Sequence, residues 1–167
     1  MVIQLQNDDQ NDAALPSISG GGLDGEYIFQ QLHFHWGHDD TRGSEHVIDS
    51  NRLEAELHIV HYNSKYSSFD EASGHSDGLA VLAVMIEPSK WDNIAFRHIE
   101  HFEQIIHPDG HPVSPLSRPI SLDDLLPDET DSFYRYIGSL TTPGCNEAVI
   151  WTVFDTPISL SPRQVGR

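Results

Sequence analysis

The sequence predicts a strand-dominated α+β fold in one domain, and three observations predict it. Tyr27–Trp36 is an apolar, aromatic run, Leu53–Tyr62 alternates apolar and polar side chains, and only one stretch carries a clear helical period. A chain of 167 residues suits one domain that buries roughly 70% of the surface its unfolded state would expose.

Taken in order, Met1–Leu23 reads as turn and loop, with an acidic segment at Asn7–Asp12 and the Gly20-Gly21-Gly22 run. Tyr27–Trp36 reads as a strand, followed by a polar, glycine-containing loop at His38–Ser44. In the next strand Leu53, Ala55, Leu57 and Ile59 share one face, and Glu54, Glu56, His58 and Val60 share the other. Leu79–Ile86 is a short continuous apolar run, as expected of a buried central strand. The helical period lies at Asp92–His107, where Ala95, Ile99, Phe102 and Ile106 recur; Asp92 is the expected N-cap, and Pro108 with Gly110 ends the helix. Pro108, Pro112, Pro115 and Pro119 imply an extended surface loop. A second short helix is expected from Ser121, with Asp124 completing a capping box, and Ala148–Phe154 returns to strand.

Composition narrows the function. Nine Lys plus Arg against 26 Asp plus Glu give a formal charge of −17, which argues against binding nucleic acid or anionic lipid. No apolar run approaches the roughly 20 residues that span a bilayer, and the residues after Met1 do not resemble a signal peptide. Eleven histidines accompany a single cysteine, Cys145, so a metal site within this chain must be built from imidazole and carboxylate rather than a thiolate cage.

The segment Gln31-Leu32-His33-Phe34-His35-Trp36 places Gln31, His33 and His35 on one strand face, within reach of one ion, and Leu32, Phe34 and Trp36 on the other. Such a pair also arises by chance in a histidine-rich chain. His58, flanked by apolar neighbours on the second strand, offers a third imidazole, and three neutral imidazoles leave a tetrahedral zinc one open position. His61 falls on the opposite face and reads as a core histidine. The remaining seven, His38, His46, His75, His98, His101, His107 and His111, read as solvent-exposed. An iron or manganese protein of the cupin kind is an alternative, although Trp36, Gly37 and His38 supply no carboxylate directly after the pair.

Four segments together carry a resemblance: Gln31-x-His33-x-His35-Trp36-Gly37, Gly43-Ser44-Glu45-His46, Ala55-Glu56-Leu57-His58-x-Val60-His61 and Gly138-Ser139-Leu140-Thr141-Thr142-Pro143. In this order they resemble the α-class carbonic anhydrases. The resemblance implies a mostly antiparallel, twisted central β-sheet with a few short surface helices. It also implies reversible hydration of carbon dioxide to bicarbonate and a proton by zinc-bound hydroxide, with Zn2+ on His33, His35 and His58. Gln31 is then the outer partner of His33 and Glu56 that of His58. By the family pattern His35 uses a backbone carbonyl in a segment beyond Arg167. Thr141 orients the hydroxide and passes its own hydrogen to Glu45, the substrate pocket is Val60, Val81, Leu140, Thr142, Val149 and Trp151, and sulfonamides are expected to inhibit.

Against the family pattern, residues 1–167 read as one carbonic anhydrase domain incomplete at both ends, missing an N-terminal proton-shuttle histidine and further C-terminal strands. The expectation is a chain that is less stable and slower than an intact relative, or a non-catalytic binding module of the same fold. Cys145 occupies the position where secreted and cell-surface members place half a disulfide, implying an extracellular or cell-surface parent; a free thiol in a cytosolic protein is the alternative.

Overall fold

A computed structural model describes residues 2–4, 15–37, 43–99 and 120–165. Among the described residues eight strands form one sheet: β1 (Val2–Gln4), β2 (Ser17–Ile18), β3 (Tyr27–Trp36), β4 (Ala55–Asn63), β5 (Leu79–Pro88), β6 (Phe133–Gly138), β7 (Val149–Phe154) and β8 (Ile158–Leu160). Among the described residues a single short α-helix, α1 (Phe69–Ala72), joins β4 to β5. The spatial order is β1-β3-β4-β5-β7-β6, with β2 also pairing β3 and β8 also pairing β5. The two pairings of β5 with β7 and β8 are parallel and all the others are antiparallel. Among the described residues no helix is long and apolar enough to cross a membrane.

The three strands that the sequence marks most clearly, β3, β4 and β5, are the centre of this sheet. Their pairing sets His33 opposite His58 and His35 opposite Glu56, while Leu32 faces Ile59 and Phe34 faces Leu57. Strict alternation would put Phe29 on the face of Gln31, His33 and His35. Instead the register slips by one residue between Phe29 and Gln31. This bulge turns Phe29 into the cluster that holds Leu32 and Phe34, so apolar side chains line one face and the histidines keep the other.

Two apolar clusters sandwich the sheet. One contains Phe29, Leu32, Phe34, Leu57, Ile59, Leu82, Val84, Phe96 and Phe154. The other, on the histidine face, contains Val60, Val81, Ala83, Val149, Trp151 and Val153, with Leu140 packed against it. Strand β4 is therefore buried on both sides, and its Glu56 and His58 are as inaccessible as its leucine and isoleucines.

Several expectations are corrected. Met1–Leu23 is not all loop: β1 and β2 divide the outer edge of β3 between them, β1 opposite Gln31–His33 and β2 opposite Tyr27 and Ile28. The Asp92–His107 helix is, in its described part, a 3-10 helix at Ile94–His98, and residues 100–107 lie outside the described residues. Its cap is Asn93, whose side chain accepts from Ala95 N at 3.0 Å. Asp92 is drawn instead to the C-terminal segment, where it accepts from Ser161 Oγ and pairs with Arg163. The turn breaks at Ile99, with φ −95° and ψ 57°. The second helix shrinks to a 3-10 turn at Asp123–Leu125 with no side-chain cap, so no capping box forms. Strands β6 and β8 and helix α1 were not expected from the pattern. The proline-rich loop at 108–119 lies outside the described residues.

His61 is a core histidine, as expected. It is 1% exposed, its Nδ1–H donates to Ile59 O at 3.1 Å, and Phe29 meets its ring edge-on at 5.8 Å. Burial pushes its pKa down from the ordinary 6.5 to about 4. The unfolded chain therefore takes up a proton between those values that the folded chain refuses, and stability falls as pH drops through this window. Urea unfolding at pH 7 and pH 5 is expected to show a loss of up to about 1.4 kcal/mol per pH unit from this residue, and His61→Gln is expected to flatten the slope. An unchanged slope in the variant would contradict the assignment.

Candidate metal centre

Strand alternation and the β3–β4 register bring three imidazoles together. Ring centroids lie 4.9 Å apart for His33 and His35, 5.2 Å for His33 and His58, and 4.6 Å for His35 and His58. One nitrogen from each lies within 4.8 Å of the other two. The outer nitrogens are engaged elsewhere. His33 Nδ1 lies 3.2 Å from Gln31 Oε1, and His58 Nε2 lies 2.6 Å from Glu56 Oε1. Both partners sit two residues before the histidine they hold, on the same strand face. His35 Nε2 is buried and has no hydrogen-bond partner among the described residues. A buried polar atom without a partner is costly, and a metal ion at the convergence point would satisfy it.

The electrostatics keep the His33 and His35 rings neutral. Burial, then the neighbouring His58 and His35, lowers the His33 pKa to about 3. Burial and His58 also lower that of His35, with Glu45 partly opposing. Neutral imidazole is the form that ligates a metal.

A second polar chain runs behind His58. Glu56 is fully buried and accepts from His46 N at 2.8 Å and from the rings of His46 and His58. Burial by itself would raise the Glu56 pKa, but the hydrogen bonds from His46 and His58 hold the carboxyl well below its usual range. An ionised carboxylate only accepts, so His46 Nδ1–H donates to it and His46 Nε2 accepts from the Tyr136 hydroxyl at 2.6 Å. Burial, then Glu56 and Glu45, pushes Tyr136 up to about 12, keeping that hydroxyl protonated. Trp151 lies edge-on to His58 at 4.8 Å, stacks on Tyr136 at 6.1 Å and donates from Nε1 to Ser139 O at 3.2 Å. His46, Glu56 and His58 also approach one another closely enough to suggest a second ion site. Their donors and acceptors are already paired, unlike those of the first cluster.

His46 thus corrects the expectation of a solvated histidine: it is half-buried and bonded at both ring nitrogens. Its signal was the Gly43-Ser44-Glu45-His46 segment itself. Tyr136, also missed, stands two residues before Gly138 on β6, opposite Trp151. His75 stacks on Tyr66 at 4.4 Å, and His38, His101, His107 and His111 lie outside the described residues.

Of the expected pocket residues, Val60, Val81, Val149 and Trp151 are buried together and Leu140 packs against them. Thr142 is exposed. Glu45 Oε1 lies 3.4 Å from His35 Nδ1, and its Oε2 is buried without a hydrogen-bond partner among the described residues. Thr141 is exposed, and no hydrogen bond among the described residues joins it to Glu45. Cys145 is exposed and free, at φ +43°, in a turn closed by its N–H donating to Thr142 O at 3.0 Å.

A three-imidazole cluster on the middle strands of a curled mixed sheet, with a buried carboxylate behind it, defines a class of β protein able to hold a metal ion. The chain belongs to the eukaryotic-type carbonic anhydrase family, whose model matches residues 2–167. It is 42% identical over 146 residues to human carbonic anhydrase 12, covering 86% of this chain and 40% of that protein. Bovine carbonic anhydrase 6 is 41% identical over 146 residues, covering 85% of this chain and 45% of the relative. Human mitochondrial carbonic anhydrase 5A is 37% identical over 166 residues, covering 99% of this chain and 52% of the relative. The chain therefore spans about half the length of these curated relatives.

Glu56→Ala removes the acceptor of His58 Nε2–H. A zinc competition titration is expected to show a loss of about 10–100-fold in affinity, the usual consequence of removing an outer-sphere partner. Affinity equal to that of the unsubstituted chain would show that Glu56 does not orient His58.

Proposed function

We propose that this chain carries the zinc centre of a carbonic anhydrase that interconverts carbon dioxide and water with bicarbonate and a proton. The observation behind this reading is the convergence of His33, His35 and His58, with one buried nitrogen left unpartnered among the described residues. Three neutral imidazoles without a carboxylate suit zinc with a fourth position for water. Bound there, the ion would lower the pKa of a coordinated water from about 15.7 to about 7, making hydroxide available at neutral pH.

The chain's own residues supply the rest. Gln31 and Glu56 fix the tautomers of His33 and His58, so the ligating nitrogens stay aimed at one point. Thr141 accepts a hydrogen bond from the nucleophile and donates its own hydrogen to Glu45, aiming a lone pair at the substrate carbon. The unpartnered Glu45 Oε2 is suited to accept that hydrogen. The Thr141 N–H binds a substrate oxygen, and Val60, Val81, Leu140, Thr142, Val149 and Trp151 shape the pocket for a small apolar molecule. Cys145 is one half of a disulfide in an extracellular or cell-surface parent, and its exposure suits that pairing.

A second reading is a carbonic anhydrase-like binding module with impaired turnover. It is favoured by the exposed Thr141, which is not engaged with Glu45. One experiment separates the two. Zinc-loaded chain is expected to accelerate carbon dioxide hydration in a stopped-flow indicator assay, to be blocked by an unsubstituted sulfonamide, and to lose stoichiometric zinc on His58→Ala. Thr141→Ala is expected to retain zinc and lose roughly 100-fold in turnover. Full zinc occupancy with no acceleration would overturn catalysis and favour the binding module.

A further inference from the structure

A helix leaves its last carbonyls without donors of its own, and each must find one elsewhere. At the end of α1 most are served locally. Phe69 O accepts from Ser73 N at 2.9 Å, Asp70 O from Ser73 Oγ at 2.9 Å, Glu71 O from Gly74 N at 3.1 Å and Ala72 O from His75 N at 2.9 Å. Ser73 O is the exception. Its donor is Asn146 Nδ2, at 2.9 Å and 73 residues along the chain.

Asn146 is also where the loop that carries Thr141 closes. Its carbonyl accepts from Leu140 N at 3.0 Å and from Ala148 N at 2.9 Å, which pinches the loop shut at its base. Inside the loop Cys145 N donates to Thr142 O at 3.0 Å, with Gly144 at φ +111°, a conformation that favours glycine. The Asn146 amide lies against this turn, since an added Cβ on Gly144 would stand 3.0 Å from Asn146 Oδ1. Thr141 makes no hydrogen bond of its own among the described residues, so these closures set its place.

We infer that Asn146 is a positioning residue: its side chain straps the Thr141 loop to the end of α1 and so holds Thr141 in place. The inference rests on the carbon dioxide reading above and names what fixes the exposed threonine that reading uses. Both strapped elements sit on one apolar cluster, α1 through Ala72 and Phe69 and the loop through Leu140, beside Val81, Val149 and Trp151. Apolar packing has no direction and lets two elements slide on one another, whereas a hydrogen bond fixes their spacing. The need is acute here, because every residue from Thr141 to Cys145 is exposed and the tip has few packing contacts to order it.

Backbone relaxation by NMR and stopped-flow hydration, on the zinc-loaded chain and its variants, test this, with far-ultraviolet circular dichroism as the fold check. Asn146→Asp keeps the size of the side chain but replaces the donor with a second acceptor facing Ser73 O. Asn146→Ala and Asn146→Asp are both expected to lower the Thr141 and Thr142 order parameters from about 0.85 to below about 0.6, leaving β4 and β7 unchanged. In each, kcat/KM is expected to fall about 10–100-fold, the cost of a small misplacement. In a Thr141→Ala background Asn146→Ala is expected to cause no further loss, because the strap acts through Thr141; a residue that only stabilised the fold would add its loss in full. The Asn146 Nδ2–H resonances of the unsubstituted chain are expected to be protected from exchange, a readout that survives if the variants do not fold. Unchanged loop order in both variants, an additive loss in the double variant, or unprotected Nδ2–H would overturn the inference. If the unsubstituted chain holds zinc without hydrating carbon dioxide, the relaxation and exchange data still decide the strap, and the catalytic reading alone falls.

Discussion

The site depends on a carboxylate held, ionised, in the middle of a sheet buried on both faces. Glu56 is 0% exposed, and removing its charge from water is tolerable only because three hydrogens converge on it, from the His46 backbone and from two imidazole rings. The arrangement is reciprocal. Glu56 fixes the tautomer of His58, and in stabilising that charge His46 and Tyr136 are themselves locked between β4 and β6. Trp151 covers the network from β7, so three strands and the loop before β4 meet on one polar chain. That interior polarity is the feature an apolar core of equal volume would lack, and it dictates where the loop before β4 must run.

Much of this was legible in the sequence, for identifiable reasons. The His33–His35 pair needed only strand alternation, and the bounds of β3 coincide with the aromatic run that marked it. The place of His61 in the core followed from its parity with Leu57 and Ile59. The bulge at β3 was not legible, because a register slip is set by what β4 offers opposite Phe29 rather than by any residue within the run. The Asp92 helix failed for a similar reason. Its apolar spacing is helical, but the capping carboxylate is bonded to Ser161 from the far end of the described chain. Strand β6 escaped notice because Phe133, Tyr134, Arg135 and Tyr136 carry no apolar–polar alternation, and Tyr134 and Tyr136 stay exposed on the face that carries Trp151.

The same contrast holds within the site. Residues that act through strand periodicity, Gln31, His33, His35, Glu56 and His58, could be named from spacing plus the family resemblance. Those that act through long-range pairing could not be assigned partners. His46 lies 90 residues from Tyr136, and although the Gly43-Ser44-Glu45-His46 segment marked it, nothing local named the partners of its ring. Glu45 is an intermediate case: its motif flagged it, but its proximity to His35 depends on the fold of the loop from Gly43 to Glu54.

The central claim is that three imidazoles from two adjacent strands form the complete protein ligand set of one zinc ion. X-ray absorption on the zinc-loaded chain addresses this directly. The account predicts one zinc per chain with three imidazole nitrogens at about 2.0–2.1 Å and a single additional light atom. A coordination shell containing sulfur at about 2.3 Å, or fewer than three imidazoles, would contradict it.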